Sequence, residues 1–515
     1  MLKKVNLSSA TLVYLCFMTV YMAVREVLPL NFLIDNTLVS AGIFALGFLL
    51  ILWDLLTTRN CLNGRSQDLL IVFLAVCCIS SLINYQYGIF GNVKLIAALV
   101  IEYFVFFCFA KNMPAERIQK YLNILSATLI ITWFVLVAAS LATYFFGIDI
   151  SVANYGAFDL TSQGFSYEYV RLWGIFQDPN YASIISLVSV WASVRLIVLK
   201  KRPLLTVLLV INILCQLCYI ILGGSRAALI LSLATALLFA VYRFLLNGKK
   251  KTAKEALKGI GAAALTFAIC LVALFGTKFS LPFVKTALFP GNSSAALGVS
   301  SAYTALYAAS DVEFELVQRN AKGDVIFDTT PDKPTDPAPD KLPSDGTLKP
   351  IDRTDLGKSD ISNGRFTRWI QTLQVFAKAP FFGTSPRNLS SFAKQHNPET
   401  LMAKYGMAPH NGYLDVLVET GIIGFAVLAV TVLWLFFSSV LRFLKAGFSY
   451  DRAFLVLSII AFVGIAFFIS DIYMTFSVNS MFFWIFLGMA HNLEKEPKNN
   501  GIAFSVFRKL FTKKG

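Results

Sequence analysis

Apolar runs, each about as long as a bilayer is thick, recur along the chain. A bilayer-spanning helix needs about 20 mostly apolar residues. Twelve stretches answer to that length: roughly 8–28, 32–57, 66–84, 89–110, 118–147, 180–199, 204–222, 227–247, 258–280, 412–441, 453–471 and 478–492. The tenth is long and the twelfth short, which predicts tilt, a break or re-entry in that pair. The first lacks a small-residue cleavage site and another span follows at once, so it reads as a membrane helix and not as a cleaved signal peptide. The pattern predicts an all-α polytopic membrane protein with about 12 transmembrane helices. Its organisation is five helices in 1–147, four in 148–280 with a loop at 148–179, a long loop at 281–411, three helices in 412–492 and a basic tail at 493–515.

Composition agrees. Of 515 residues, 56% are hydrophobic and 15% charged, against nearly half and a quarter in ordinary soluble domains. This excludes a disordered chain and argues against a soluble multidomain enzyme. The net charge of +15 raises nucleic acid as a partner, but nucleic-acid binding does not call for so apolar a chain. Location resolves the charge. With the N-terminus cytoplasmic, that terminus, the turns on its side and the tail hold 26 of the 45 Lys and Arg but seven of the 30 Asp and Glu. That face is therefore +19 and everything else −4, as the positive-inside rule requires, and both termini fall in the cytoplasm. None of the eight cysteines lies in the long loop, so no disulfide framework is expected. Cys215 and Cys218 read as packing residues in an apolar span.

The loops 148–179 and 281–411 fall on the extracytoplasmic side. Within the second, 324–360 is rich in Pro, Asp and Lys and poor in large apolar residues, which predicts disorder. Residues 282–310 are apolar and Ala-rich and predict helix at the membrane surface. In 364–380, Phe366, Trp369, Ile370, Leu373 and Phe376 recur at helical spacing. Arg365 and Arg368 are neighbours on that helix. They are either solvated arginines of an interfacial helix or a clamp for a phosphate at the membrane surface.

Three further segments carry candidate chemistry. In RLWGIFQDPNYAS, 171–183, Asp178 is a helix N-cap and Pro179 fits the first helical position; a capped helix does not account for Arg171 or Asn180, which fit a polar cavity. In GGSRAALI, 223–230, Arg226 stands at the mouth of a span, either snorkelling or serving as a cation at a helix N-terminus that favours an anion. In APHNGYLDVLVETGIIGF, 408–425, His410 precedes a helix on which Asn411, Asp415 and Glu419 form a polar stripe. Acidic residues near a helix N-terminus are favoured in any case; a polar stripe entering the bilayer more often faces a wet cavity or protein than lipid. Cations and one imidazole at the membrane surface suit an anionic lipid headgroup such as a pyrophosphate. No Cys, His or Asp cluster has metal-ligand spacing, and there is no P-loop, dinucleotide fingerprint or nucleophile elbow.

Taken in order, G-I-F-Q-D-P-N, G-G-S-R-A, G-R-F-T-R-W…A-P-F-F-G-T and H-N-G-Y-L-D-V-L-V-E-T-G-I-I-G resemble the O-antigen ligase and Wzy-type polysaccharide polymerase superfamily over roughly 170–425. The resemblance implies a membrane-embedded, GT-C-like glycosyltransferase, metal-independent, inverting and without cofactor. It implies an undecaprenyl-pyrophosphate-linked oligosaccharide donor and a glycan acceptor hydroxyl on the outer side of the cytoplasmic membrane, with a flippase and a chain-length regulator as further partners. Arg226 and Arg365 resemble the family's pyrophosphate-binding arginines and His410 its essential histidine, proposed to activate the acceptor. Arg171, Asp178 and Asn180 resemble an accessory motif. Asn411 or Asp415 is then placed to orient the imidazole, and Arg368 stands beside Arg365.

The motifs are shared by polymerase and ligase. The long insertion and wide loops favour a polymerase, which extends a lipid-linked repeat, over a ligase, which transfers to lipid A core or another acceptor. A lipid-linked glycan flippase has a similar number of spans, but a transporter built of repeats predicts two similar halves, whereas the motifs crowd the second half. Glu102 and Lys94 are the conspicuous ionisable residues within a span, expected to pair with one another or with another helix.

Overall fold

The structure is a computed structural model and describes residues 6–27, 30, 37–146, 151–152, 172–246, 252–288, 314–315 and 365–493. All twelve apolar stretches form helices. They are α1 (Leu7–Arg25), α2 (Thr37–Thr57), α3 (Arg65–Ile83), α4 (Phe90–Asn112), α5 (Ala115–Phe146), α6 (Pro179–Lys200), α7 (Pro203–Leu222), α8 (Arg226–Phe244), α9 (Ala253–Leu288), α13 (Gly412–Ala446), α14 (Tyr450–Ile465) and α15 (Val478–Asn492). Between α9 and α13 lie three short helices, α10 (Arg365–Phe376), α11 (Leu389–His396) and α12 (Leu401–Tyr405). The chain is an all-α integral membrane protein. Among the described residues, the strands are one antiparallel pair, Ser151–Val152 with Phe314–Glu315, which joins the two large loops.

Ten of the twelve helices are long and apolar enough to cross a membrane. The other two, α14 and α15, have 16 and 15 residues, short of a full span. Burial explains how α15 persists: every residue from Val478 to Ala490 is buried, and a helix apolar on all sides belongs inside protein. At the periphery, α2 and α9 turn Leu49, Leu56, Leu257 and Val272 outward, as lipid-facing helices do.

One sequence expectation changes and one narrows to the second of its alternatives. The helix expected from 282 is the continuation of α9, which runs to Leu288; the rest of 282–310, the stretch 324–360 and the tail beyond Leu493 lie outside the described residues. Glu102 and Lys94 do not pair with one another. Glu102 opens a π-helical stretch of α4, Glu102–Phe107, and its carboxylate accepts from the Ser480 hydroxyl of α15, as such bulges often accommodate a polar contact. Lys94 lines a cavity near the end of α1 and the start of α4. All eight cysteines are free.

Beside the large core of the bundle, a second small core, Val375, Leu389, Phe392, Met402 and Val418, lies beneath α10–α12. It seats the long loop's last helices on the first turns of α13 and defines one end of the bundle, the loop end.

Candidate functional site

The two glycine-bearing motifs of the second half turn out to be one joint. Inside α13 the helix breaks at Gly421 (φ 68°, ψ −175°), a backbone conformation essentially reserved for glycine. Into the break comes the chain 380–384. Ile422 N–H donates to Pro380 O (2.8 Å) and Thr384 N–H to Val418 O (2.8 Å). The fit is backbone on backbone: a Cβ at Gly421 would lie 2.2 Å from Phe381 O, and one at Gly383 (φ 73°) 2.4 Å from the Glu419 carbonyl carbon. From α3, Asn84 Nδ2 donates to Gly383 O (3.0 Å) and Ser80 Oγ to Glu419 O (3.2 Å). The break expected in the tenth span is therefore real, and it separates a short helix, 412–420, from the spanning remainder.

His410 stands at the head of that short helix. It holds a left-handed backbone (φ 52°), which costs an L-residue about 1 kcal/mol and needs support from its surroundings. Support comes from both sides. Trp369 Nε1 donates to Pro409 O (3.2 Å), and Gly412 N–H donates to Ala466 O (2.7 Å) and Ile469 O (2.9 Å). Asn411 caps the helix, its side-chain oxygen accepting from the N–H groups of Tyr413 (3.0 Å) and Leu414 (3.2 Å).

Around the half-buried imidazole the charges come from two elements. Arg365 and Arg368 act on it electrostatically from α10 and Asp178 from the head of α6. Burial lowers the His410 pKa below its ordinary value; Arg368 and Arg365 lower it further, and Asp178 opposes them. The Arg365 guanidinium lies over the Phe468 ring, 5.7 Å from its centroid. The Arg368 Nε–H is buried without a hydrogen-bond acceptor among the described residues, and a buried unpaired donor is costly. α10 presents these arginines inward, while Phe366, Ile370 and Leu373 are exposed.

The accessory motif joins the same place. Asp178 caps α6, its Oδ1 accepting from Asn180 N–H (2.6 Å) and Asn180 Nδ2 (2.8 Å), with Pro179 in the first turn. Asn180 thus contributes to the cap. The Gly223–Gly224 turn brings the head of α8 beside it, for a Cβ at Gly223 would meet Ser183 Oγ at 3.1 Å and Pro179 Cβ at 3.6 Å. Arg226, half-buried, is the first residue of α8; it neighbours α6 and is not one of the charges acting most on the imidazole. Arg171 lies outside the described residues. Asn411 is engaged as the helix cap and Asp415 is buried with an Oδ2 that has no hydrogen-bond partner among the described residues, so neither is seen to orient the imidazole.

Three charged residues at this end were not read from the sequence. Glu26 and Asp471 act electrostatically on each other and on Asp178. Glu26 follows α1, and its carbonyl accepts from Gln177 N–H (2.9 Å). Asp471 follows α14 and accepts from Asn479 Nδ2 (2.7 Å). Arg387 acts on Asp415 and Glu419. Glu26 and Asp471 lie at the edges of apolar runs and Arg387 in a polar loop, where sequence gives no partner. Among the described residues, no three His, Cys, Asp or Glu side chains converge as metal ligands.

An apolar cavity of about 300 Å³ runs between α13 and α14, lined by Tyr413, Val416, Leu428, Val432, Val463 and Tyr473 among others. Residues 209–429 match the O-antigen ligase family. The match takes in Arg226, Arg365 and His410 and ends within α13, past the Gly421 joint. Asp178 and Asn180 precede it, so the O-antigen ligase match is shorter than the resemblance drawn from the motifs, and the first six helices lie outside it. The family is one of glycosyltransferase-like ligases and polymerases. No curated protein matches the chain.

Proposed function

We propose that the chain is a polysaccharide polymerase. In this reading it transfers an undecaprenyl-pyrophosphate-linked glycan to a hydroxyl of another lipid-linked repeat unit, on the outer side of the cytoplasmic membrane. The observation that carries it is His410 held at the loop end by Trp369 and Gly412, with Arg365, Arg368 and Asp178 around the imidazole. The loop end is extracytoplasmic because the basic turns lie at the other end. The catalyst is of the GT-C type, inverting, and works without a metal ion; a flippase supplies its donor and a chain-length regulator acts on its product.

The chemistry follows from the charges. The acceptor oxygen attacks the donor sugar C1, and the bond from C1 to the pyrophosphate oxygen breaks. A lowered pKa keeps the His410 imidazole neutral near pH 7, so it accepts the acceptor proton. Asp178 then faces the imidazolium. Arg226 and Arg365 offset the charge that grows on the departing pyrophosphate, and Arg368, with its unpaired Nε–H, adds a donor to the same group. The apolar groove at Tyr413 and Tyr473 takes the first isoprene units of the donor lipid.

Replacing His410 by Ala should abolish new glycosidic bonds in detergent with lipid-linked donor, while the protein inserts and purifies as before. Full activity in that variant overturns the general-base role. The family's description as O-antigen ligase favours ligation as the second reading. A deletion strain separates the two: single-repeat surface glycans mark a lost polymerase, long chains held on undecaprenyl pyrophosphate a lost ligase.

A further inference from the structure

A second cavity at the loop end, about 350 Å³, belongs to none of the motifs. Three cations from three separate elements line it: Arg25 at the end of α1, Lys94 in the first turns of α4 and Arg387 from the loop before α11. The remaining walls include Tyr21, Ile43, Phe44, Leu95 and Phe476. A pocket of this size is within the range of small-molecule sites, roughly 300–1,000 Å³. Its mixture, cations at the rim and hydrocarbon below, is that of a site for a phosphorylated lipid.

The cations are held there by construction. Arg25 Nη1 donates to Phe476 O (2.9 Å). The stem of Arg387 crosses Gly91, where a Cβ would meet Arg387 Cβ at 3.4 Å. Arg387 and Ser385 both have left-handed backbones (φ 64° and 72°), a conformation that persists when neighbours over-determine it. The neighbours are Asn388, whose Nδ2 donates to Gly88 O (2.8 Å) and Ser385 Oγ (2.7 Å), and Asn92, whose Nδ2 donates to Ser385 Oγ (3.1 Å). Asp471 near Arg25, and Asp415 and Glu419 near Arg387, temper the positive charge. Lys94 and Arg387 remain exposed at the rim.

The segment 466–477 lies between this cavity and the apolar groove. Tyr473 lines the groove, Phe476 lines the basic cavity and Phe468 lies beneath Arg365. We propose that the Arg25–Lys94–Arg387 cavity binds the pyrophosphate of a second polyprenyl lipid, the acceptor, across the 466–477 segment from the donor. The proposal rests on the polymerase reading, in which two lipid pyrophosphates must be held at once.

The test is the stoichiometry of undecaprenyl pyrophosphate bound to the full chain in detergent, by native mass spectrometry. Two molecules are expected on the wild type and on His410→Ala, one on Lys94→Gln and on Arg387→Gln, and two again on Arg387→Lys. In turnover with a defined repeat, either Gln variant should raise the acceptor KM roughly ten- to hundredfold, the loss of one charge-assisted hydrogen bond, with the donor KM unchanged. One molecule on the wild type, or two on both Gln variants, overturns the proposal. So does inorganic pyrophosphate occupying the second site as tightly as the lipid, which would make it a site for the free anion. If the wild type binds two lipids but elongates nothing, the polymerase reading fails and the lipid site stands. If it elongates while the Gln variants match the wild type, the site fails and the polymerase stands.

Discussion

Gly421→Ala isolates the joint on which the site is hung. The new Cβ would sit 2.2 Å from Phe381 O, 2.3 Å from Phe381 C and 2.5 Å from Phe382 N. All three are backbone atoms, so no side-chain rotation relieves the contact. The 380–384 segment must withdraw by roughly 1 Å, and a shift of that size in packed surroundings is strongly resisted. Withdrawal breaks the bonds from Ile422 to Pro380 and from Thr384 to Val418, worth about 1 kcal/mol each. Alanine at this φ and ψ costs a further 1–3 kcal/mol or so. The joint should therefore weaken by about 3–5 kcal/mol, a large share of the stability of a typical fold. Hydrogen exchange in detergent should report it as faster exchange of the Ile422 and Thr384 amides, with the α15 amides unchanged. Glycan transfer should fall about a hundredfold, since a 1 Å displacement of positioned groups costs that much. Gly383→Ala strikes the same contact from the other side, so the double variant should be no worse than the sum and in practice clearly less. Gly276→Ala, where nothing lies within 4 Å of the new Cβ, is the control and should stabilise its helix by up to about 1 kcal/mol. Wild-type exchange and wild-type transfer in Gly421→Ala would refute the account.

Other outcomes follow from the charges. Arg368→Gln removes a cation that lowers the His410 pKa; the pKa then rises, and the acid limb of the transfer profile, where the base becomes protonated, moves to higher pH. Asp178→Asn keeps the cap, since Asn and Asp cap equally, but removes the charge that favours imidazolium, so the same limb moves to lower pH. A pH–rate profile of both variants checks the signs, and shifts in one common direction would contradict them. Far from the site, Asp451 pairs with Arg195, which is 1% exposed. Asp451→Asn strands that guanidinium and should cost about 3–5 kcal/mol, most of it recovered by Arg195→Met with Asp451→Leu; melting in detergent measures both.

The spans were legible because a bilayer imposes one length and one polarity on every crossing, and α1 to α9 fall within a few residues of the apolar runs. The Asp178–Pro179 cap was legible because capping is local chemistry. What lay hidden is contact between distant segments. Gly421 looked like an ordinary residue of an apolar helix, and only the arrival of Phe381 and Gly383 explains it. A glycine mid-span was the available signal. Asn411 pointed toward His410 in sequence, yet its oxygen is used by the backbone of the next turn. Arg25, Lys94 and Arg387 are 69 and 293 residues apart along the chain, and no period or spacing joins them. The two shortest of the twelve helices formed by the apolar stretches, α14 and α15, cross less than a bilayer because protein, not lipid, surrounds them.

A further consequence attaches to α10. With Phe366, Ile370 and Leu373 outward, the helix floats at whatever height the hydrocarbon ends. Its arginines ride at that height, and the Trp369–Pro409 bond hands the height on to His410. Membrane thickness thereby becomes a setting of the proposed site. In bilayers of shorter or longer acyl chains α10 should carry its arginines and His410 together toward or away from Asp178 at the head of α6, so that the surrounding lipid tunes the charge around the imidazole much as a ligand would.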